Sequence, residues 1–451
     1  MKKFYCVLSL FAAIAAFVCD ARAQSVDNFD DFNAGLAVST PSYSITLSSD
    51  IAVKGSLNAV TPGFLAVNGA GFCVDGAGWN TGFVSGAGKV LSFSDITIKN
   101  FSFSSGQNSL GGAINNAGVL YIHGSTISHN SVSNDSGDSS SKSYGGALYN
   151  SGSANIYNSS FLYNSAANIS KGVSKGGAVF NEGVLNIIAD GADVAFTGNT
   201  AGGKSNAVHN AANASVNLNA AAADSIMLND AVTGDNGIIN VNRSGDWDSA
   251  ANPGNPSGNG IPLNAPDKGT AVFNNSVTGN DINLYGGTLK LGVFDGIKDP
   301  SDEKKFLVLA SRGSIGTKNS RNALTVYDGS VFDMANRKAD DVVYVSSFNV
   351  VSGTVNVKID VDLSGRKSDK IDISQAALGT GKLSFYGINI VRGFAVGVSA
   401  DVKVFADSTT MTANYLDGVD FVTYASTGVY RVTRGSDNQL EIGRASCRER
   451  V

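Results

Sequence analysis

Three copies of one six-residue phrase constrain what this chain can fold into. Each copy reads Gly-Gly-Ala, an apolar residue, a variable residue and Asn, and the copies occupy residues 111–116, 145–150 and 176–181. Their first residues lie 34 and 31 positions apart, at 111, 145 and 176. A period of this length is typical of stacked repeats, because one unit alone cannot bury its apolar face and needs the next unit against it.

A second motif follows each phrase at the same place in the repeat. After a short β-type run comes a tetrad with an apolar first residue and a final Asn, at residues 127–130, 161–164 and 196–199. We expect the glycine pairs to make tight bends against the neighbouring coil. We expect the final asparagines to stack about 4.8 Å apart and to hydrogen-bond along the stack. The positions that define the repeat are Gly111, Gly112, Asn130, Gly145, Gly146, Phe161, Asn164, Gly176, Gly177, Phe196 and Asn199.

The composition agrees with many strands joined by tight turns. The chain has 53 Gly, only 7 Pro, and 16% charged residues. The pattern predicts an all-β protein, a right-handed parallel β-helix (solenoid) over residues 61–299, in which Ile114, Leu148 and Val179 form one interior column. We expect residues 24–60 to form an N-terminal cap. We expect residues 300–441 to form a distinct C-terminal β segment, because strict alternation over 353–363 places five apolar residues on one face.

The first 23 residues have the pattern of a secretory signal peptide. Lys2 and Lys3 precede the apolar run 4–18, and Ala21-Arg-Ala23 provides a small-x-small cleavage site. We therefore expect export to the cell surface, the outer membrane or the medium. Two cysteines, Cys73 and Cys447, lie beyond this segment, so a disulfide framework is not expected, and Cys73 is interpreted as a small buried apolar residue.

The Arg-rich end of the chain, 442–451, differs in composition from the rest and resembles a translated sequencing adapter. The alternative is a genuine basic tail. We interpret this stretch as an artefact and expect the natural protein to continue past about residue 440.

Residues that could carry chemistry are scattered. The net charge of −5 gives no reason to expect nucleic acid as a partner. Asp95, Asp190 and Asp193 are candidate carboxylates by position only, and no adjacent Asp pair lies near a His and an Arg within the repeats. The three histidines, His123, His129 and His209, are interpreted as polar residues on the coil surface. We therefore expect no catalytic residues, no metal site and no cofactor.

Two polar loops interrupt the repeats, at residues 134–143 and 168–175. Insertions of this kind tend to project from one side of a solenoid, which is often the binding side. Asp135 and Asp138 in the first loop could hold a calcium ion. Their spacing does not match the repeated calcium motif of β-rolls, so we interpret them as part of a solvated loop.

The Gly-Gly-Ala phrases and the Phe-x-x-Asn tetrads resemble those of autotransporter passengers, in particular the polymorphic outer membrane proteins. Residues 67–76 resemble the early coils of such passengers. The segment with 360–363 and 368–371 resembles the last coils before the translocator. Ile127 departs from the pattern, because the family has Phe at this position of the tetrad.

The resemblance implies a function in type V secretion and adhesion. An exported passenger of this type acts as an adhesin on an unknown host or matrix ligand. The family's C-terminal barrel would anchor it in the outer membrane, and that barrel is missing after Leu440, which we attribute to truncation. An enzyme is not expected. Two alternatives stay open: a secreted β-helical polysaccharide lyase or glycoside hydrolase, and a structural surface-layer protein.

Overall fold

The computed structural model describes residues 22–79, 82–134, 136, 138–168, 171–243, 268–292, 297–299, 302–308, 312–375, 378–393, 399–405, 420–425, 428–434 and 440–444. Most of the predicted signal peptide, the Pro-rich segment 244–267 and residues 445–451 lie outside these ranges. The chain forms two compact units. The N-terminal unit is Met1–Asn186 with Thr200–Lys204 and Ser244–Asn264, and the C-terminal unit is Ile187–Asn199, Ser205–Arg243 and Ala265–Val451.

The N-terminal unit is built from short strands that pair in parallel from coil to coil. Sheet N1 contains Arg22–Val26, Ser42–Leu47, Phe64–Asn68, Val90–Ser94, Val119–His123 and Ser153–Tyr157. Sheet N2 contains Ile51–Ala52, Cys73–Asp75, Thr97–Lys99, Thr126–Ser128 and Ser160–Leu162. Sheet N3 contains Phe83–Ser85, Ile114–Asn116, Leu148–Asn150 and Val179–Asn181. The coils that begin at Phe64, Val90, Val119 and Ser153 each contribute one strand to each sheet, as a parallel β-helix requires.

The interior of this unit consists of apolar columns. Phe83, Ile114, Leu148 and Val179 lie in register on consecutive N3 strands, and all four are fully buried. This confirms the interior column predicted from the Gly-Gly-Ala phrase. Sheet N2 contributes a second column, which includes Ile127 and Phe161. The alternation of strands such as Ser42–Leu47, where every second residue is buried, follows from the two-residue period of a pleated strand.

A short helix, α1 (Phe29–Leu36), lies among the first strands of the N-terminal unit. The side chain of Asn28 caps it by accepting a hydrogen bond from the Asp31 N–H at 2.9 Å. Its apolar face is buried, and the Phe32 ring meets the ring of Phe83 edge to face at 6.1 Å between centroids. The helix therefore packs against the interior column.

The C-terminal unit is built in the same way. Sheet C1 contains Ser215–Ala220, Gly237–Val241, Asn280–Leu284, Asn322–Val326, Val342–Val350, Lys370–Ile373 and Leu378–Gly379. Sheet C2 contains Val194–Thr197, Ser225–Leu228, Thr270–Phe273, Thr288–Leu291, Val331–Asp333, Thr354–Asp362, Lys367–Ser368 and Lys382–Arg392. Sheet C3 contains Val208–Asn210, Val232–Gly234, Ser276–Val277 and Ser314–Ile315. The strand Val184–Ala189 contains the boundary between the units.

Parallel pairing extends well into the segment 300–441. Asn322–Val326 pairs with Asn280–Leu284, and the last parallel step joins Thr354–Asp362 to Lys382–Arg392. Antiparallel pairing among the described residues of this unit includes the hairpin of Thr354–Asp362 with Lys367–Ser368 and two further groups. The first is the pair Ile297–Asp299 with Asp302–Val308, and the second contains Ser399–Val402, Leu440–Arg444, Gly428–Arg434 and Asp420–Ala425. Residues 442–444 of the Arg-rich end are thus part of a paired strand.

The structure confirms the predicted fold class, an almost entirely β protein with stacked parallel sheets of a β-helix. Within the described residues, no helix combines the length and the apolar character that crossing a lipid bilayer requires.

Candidate functional site

The glycine pairs of the repeat lie at the base of an arm, a pair of small sheets that leave and re-enter the coils. The first glycine of each pair, at 111, 145 and 176, has a left-handed φ between +66° and +71°, which Gly adopts without steric cost. The second glycine makes a close approach to the backbone. A Cβ placed on Gly146 would overlap the carbonyl oxygen of Gly177 and would lie 2.5 Å from the carbonyl carbon of Ser165. Gly112 lies in the same way between Gly146 and Ser131.

The tetrads form the second bend of each coil. The residue before the final Asn has a positive φ in all three copies: +55° at His129, +55° at Tyr163 and +71° at Gly198. The apolar first residues, among them Phe161 and Phe196, are fully buried. The bend turns the backbone out of sheet N2, so that the residues after Asn130 and Asn164 leave the coil as new strands.

Two columns of buried asparagines hold the coils of the N-terminal unit together. The Asn130 amide donates to the Asn164 side-chain oxygen at 3.1 Å, which confirms the predicted ladder at this step. The sequence did not predict the second ladder, formed by the last residue of each Gly-Gly-Ala phrase. In it Asn116 donates to Asn150 at 2.8 Å, and Asn150 donates to Asn181 at 2.8 Å. All of these side chains are fully buried.

Asn199, the final residue of the third tetrad, donates to an aspartate instead of an asparagine. In the C-terminal unit, the Asn199 backbone N–H and side-chain amide both donate to one carboxylate oxygen of Asp230, at 2.8 and 2.9 Å. Burial raises the pKa of the Asp230 carboxyl, and these hydrogen bonds oppose that shift. Asp230 is thus the acceptor for Asn199, as Asn164 is for Asn130.

The arm consists of two small sheets that leave and re-enter the coils. The outgoing sheet contains Ser102–Ser105, Ser131–Asn134, Ser165–Asn168, Thr200–Ala201 and Lys204–Ser205. The returning sheet contains Asn108–Leu110, Lys142–Tyr144 and Val173–Lys175. Ser102–Ser105, Ser131–Asn134 and Ser165–Asn168 each follow a bend after sheet N2. Each returning strand leads directly into a Gly-Gly phrase. The predicted loops 134–143 and 168–175 are therefore the outer part of this arm.

Small buried side chains fill the space between the two sheets of the arm. Val132, Ala166, Ser109 and Ser143 are all fully buried. The Asn168 amide donates to the Ser141 hydroxyl at 3.1 Å and so links the tips of two neighbouring coils. The loops are thus supported by parallel strand pairing at their base, and their tips have a defined position.

Aromatic rings stack beside the base of the arm. The centroid of the Phe180 ring lies 4.2 Å from that of Tyr144 and 5.7 Å from that of Tyr149, and the rings of both pairs are stacked and nearly parallel. The Tyr149 hydroxyl donates a short hydrogen bond to the Glu182 carboxylate. Burial and this carboxylate together raise the pKa of the Tyr149 phenol, because both disfavour the phenolate. The stack joins the returning strand Lys142–Tyr144 to sheet N3.

Three buried aspartates form a hydrogen-bonded cluster in the C-terminal unit. Asp360 and Asp369 are fully buried, and the side chain of Asp341 is 11% exposed. The Asp369 carboxylate accepts hydrogen bonds from the Asp360 N–H at 2.7 Å and the Asp341 N–H at 3.1 Å. The Asp360 carboxylate accepts from the Asn336 and Lys338 N–H groups and from the Asn389 amide, at 2.7, 2.9 and 2.5 Å.

The pKa values of all three carboxyls in this cluster are raised. Burial is the main cause in each case, because desolvation disfavours the charged form. Burial raises the pKa of Asp369 from 3.8 to about 8, and the negative charges of Asp360 and Asp341 add to this shift, against the lowering effect of its two backbone donors. Arg312 faces the cluster, with its guanidinium 3.6 Å from Asp341 and 2.6 Å from the exposed Asp340. Since backbone N–H groups, the Asn336 and Asn389 amides and Arg312 occupy their oxygens, we interpret these groups as structural.

The three histidines have different environments. His129 is part of a tetrad bend, and its ring lies 5.2 Å from that of Tyr163. Burial lowers the pKa of His123, which Asp95 partly opposes. His209 is 3% exposed rather than on the surface as predicted. Its ring nitrogens lie 2.8 Å from the Thr233 hydroxyl and 3.0 Å from the Asp235 carboxylate. Only the register of Val208–Asn210 on Val232–Gly234 brings these groups together.

The carboxylates considered from the sequence are placed as follows. Asp95 is exposed at a bend with φ +49°, and Asp190 and Asp193 are exposed at the bend before Val194–Thr197. Asp193 accepts a hydrogen bond from the Ser225 N–H at 2.7 Å. Asp138 is exposed at the arm tip, where hydrogen bonds from Ser140 lower its pKa, and Asp135 lies outside the described residues. Cys73 is partly buried, less than predicted.

No group of three or more metal-ligating side chains occurs among the residues that the structure describes. Comparison with models of known protein families finds no match, and no curated protein is similar to the chain.

Proposed function

We propose that this protein is an exported, surface-displayed β-helical passenger that acts by adhesion to a host or matrix ligand. The arm of the N-terminal unit carries the proposal. Three consecutive coils extend polar tips from one side, and the tips stand on paired strands. Binding residues are commonly found on loops that a rigid scaffold positions. The start of the chain, with the pattern of a signal peptide, and the resemblance of the repeat motifs to autotransporter passengers support export and display.

The burial of the carboxylate cluster bears on the enzymatic alternative. Glycoside hydrolysis requires two carboxyl groups that reach the substrate. Asp360 and Asp369 have no exposed surface, and backbone N–H groups occupy their oxygens. The arm, by contrast, presents hydroxyl, amide and amine groups to solvent. Adhesion is therefore the function that the described geometry favours.

The proposal is tested by measuring adhesion of cultured epithelial cells to immobilised protein. In the test variant, two glycines replace residues 136–140 at the arm tip. In the control variant, two glycines replace residues 318–319 in an exposed turn of the C-terminal unit. We expect at least a tenfold loss of adherent cells for the arm variant and no loss for the control. Equal adhesion of all three proteins, or none by the native chain, would contradict the proposal.

A further inference from the structure

The arm carries positive charge on a negatively charged protein. Within residues 102–110, 131–144, 165–175 and 200–205 the sequence has four lysines and two aspartates, whereas the whole chain has a net charge of −5. The lysines are Lys142, Lys171, Lys175 and Lys204. Three of them are exposed, and Lys175 is half-buried. Of the two aspartates, the structure describes Asp138, whose carboxylate accepts a hydrogen bond from the Ser140 N–H at 2.8 Å.

The returning sheet places two of these lysines on one face. Lys142 pairs with Val173, and Tyr144 pairs with Lys175. Ser143, between Lys142 and Tyr144, is fully buried against the outgoing sheet. Because successive residues of a strand point to opposite sides, Lys142, Tyr144, Val173 and Lys175 share the outer side. The Lys142 ammonium lies 5.7 Å from the centre of the Tyr144 ring, which directs the lysine along this face.

The next coil adds a further lysine. Gly202 follows the last outgoing strand, and its N–H donates to the Ala166 carbonyl at 2.9 Å. A Cβ placed on Gly202 would lie 3.8 Å from the Cβ of Ser174, so Gly202 lies beside the strand Val173–Lys175, and the exposed Lys204 follows two residues later. Lys142, Lys175 and Lys204 therefore mark three consecutive coils, and Lys171 is at the tip of the middle one. We call Lys142, Lys171, Lys175 and Lys204 the lysine face.

The spacing on this face suits a linear polyanion. Neighbouring strands are about 4.8 Å apart and each residue advances about 3.3 Å, so the Cα atoms of Lys142 and Lys175 are about 8 Å apart. This is about one Debye length at physiological ionic strength, so the fields of neighbouring lysines reinforce one another. A flexible lysine can follow a repeating series of sulfates or carboxylates as a mobile point charge. Val173, which is 43% exposed, offers apolar contact between the charges.

Two features favour a polysaccharide over other polyanions. Binding of single-stranded nucleic acid relies on exposed aromatic rings for base stacking, and Tyr144, the aromatic residue of this face, is only 8% exposed. An anionic membrane is a broad surface that would also approach the acidic remainder of the protein. An extended sugar chain needs only the narrow strip over three coils.

We propose that the lysine face binds the sulfate or carboxylate groups of an acidic polysaccharide. This rests on the proposed adhesive function and names its ligand class. The salt dependence of binding follows from the release of counterions from the polyanion. Neutralising three lysines is therefore expected to reduce the slope of log Kd against log salt by about three and to weaken binding at least tenfold at physiological salt.

The test measures binding of the full chain to heparin, a sulfated polysaccharide, by calorimetry at several salt concentrations. The test variant carries Lys142→Gln, Lys175→Gln and Lys204→Gln. The control carries Lys54→Gln, Lys318→Gln and Lys367→Gln, three exposed lysines elsewhere. A third variant with Arg at the three arm positions retains the charge. We expect the native, control and Arg proteins to bind heparin alike. The Gln variant at the arm should bind heparin more weakly and show a smaller slope of log Kd against log salt.

Three outcomes would overturn the inference: unchanged heparin affinity of the Gln variant at the arm, equal binding to neutral dextran, or binding to phosphatidylserine vesicles with none to heparin. Cell adhesion separates this inference from the adhesive function itself. If cells stripped of surface glycosaminoglycans still adhere as well as untreated cells, adhesion stands and the polysaccharide inference fails. If heparin binds but no cells adhere, the adhesive function fails.

Discussion

At the scale of single residues, glycine and asparagine have separate roles that the repeat makes visible. The first glycine of each pair provides a left-handed bend, and the second leaves room for the backbone of the next coil. The asparagines carry amides that donate to one coil and accept from the other. A side chain with a donor and an acceptor is needed for such a chain of bonds, which is why Asn is preferred at the buried bends.

Replacing the second glycine of a pair is expected to be costly. For Gly146→Ala we expect the free energy of unfolding to fall by at least about 1–3 kcal/mol, because the new Cβ collides with backbone that cannot move alone. Denaturant melts of the full chain measure the effect. Gly86→Ala is the matched control, since a Cβ there meets nothing within 4 Å. A melt of Gly146→Ala that coincides with the native curve would remove close approach as the reason for this glycine.

The ladder residue Asn150 has hydrogen-bond partners on both sides, and its replacement should remove one hydrogen bond from each. We expect Asn150→Ala to lower the free energy of unfolding by about 1–3 kcal/mol, because buried amide groups of Asn116 and Asn181 lose a partner. Asn115, half-buried on an N3 strand, is the control, and Asn115→Ala should change stability by less than about 0.5 kcal/mol. Equal effects of the two substitutions would argue against a stabilising ladder.

At the scale of elements, the last coils of the C-terminal unit are tied together by the carboxyl groups of Asp341, Asp360 and Asp369. Their hydrogen bonds connect the strand Thr354–Asp362 with the segments on either side, through Asn336, Lys338 and Asn389. Because the pKa values are raised, the folded unit holds protons that the unfolded chain releases. Folding of these coils is therefore linked to pH.

The sign of this linkage predicts that acid favours the fold. The stabilising contribution of Asp369 is fully present below pH 4, the region of its unfolded pKa of 3.8, and is lost as the pH rises through about 8. We expect the free energy of unfolding to fall across this window by up to about 1.4 kcal/mol per pH unit for each proton involved. Chemical denaturation at several pH values measures the slope.

In Asp369→Asn the titrating group is absent, so the slope should become shallower, whatever the absolute stability of the variant. Asp193→Asn, which alters an exposed carboxylate of the same unit, should retain the native slope. Stability that increases between pH 5 and pH 8 in the native chain but not in Asp369→Asn would reverse the assigned sign.

At the scale of the whole molecule, the regular secondary structure of the described residues consists of strands and the short helix α1. We expect the far-UV circular dichroism of residues 22–444 to be dominated by β structure with little helical signal. A mainly helical spectrum of the folded chain would contradict the β-helix in solution. The same spectrum recorded for each variant above verifies that a lost activity does not result from a lost fold.

Much of this fold could be predicted because the repeat is local. The glycine pairs, the apolar positions and the tetrad asparagines recur at a fixed period, so stacking them places Ile114, Leu148 and Val179 in one column whatever the rest of the chain does. Each of these features depends on residues that are close in sequence or equivalent by repetition.

The tertiary structure alone decided the environments of the polar residues. Alternation places Asp360 on the polar face of its strand, yet it is fully buried, because Asn336 and Asn389 from other coils cover it. His209 meets Thr233 and Asp235 only through the pairing of two strands. Lys142 and Lys175 share a face only through the register of the returning sheet. Burial and charge proximity are sums over non-local neighbours, so a short sequence pattern determines the coil but not what covers it.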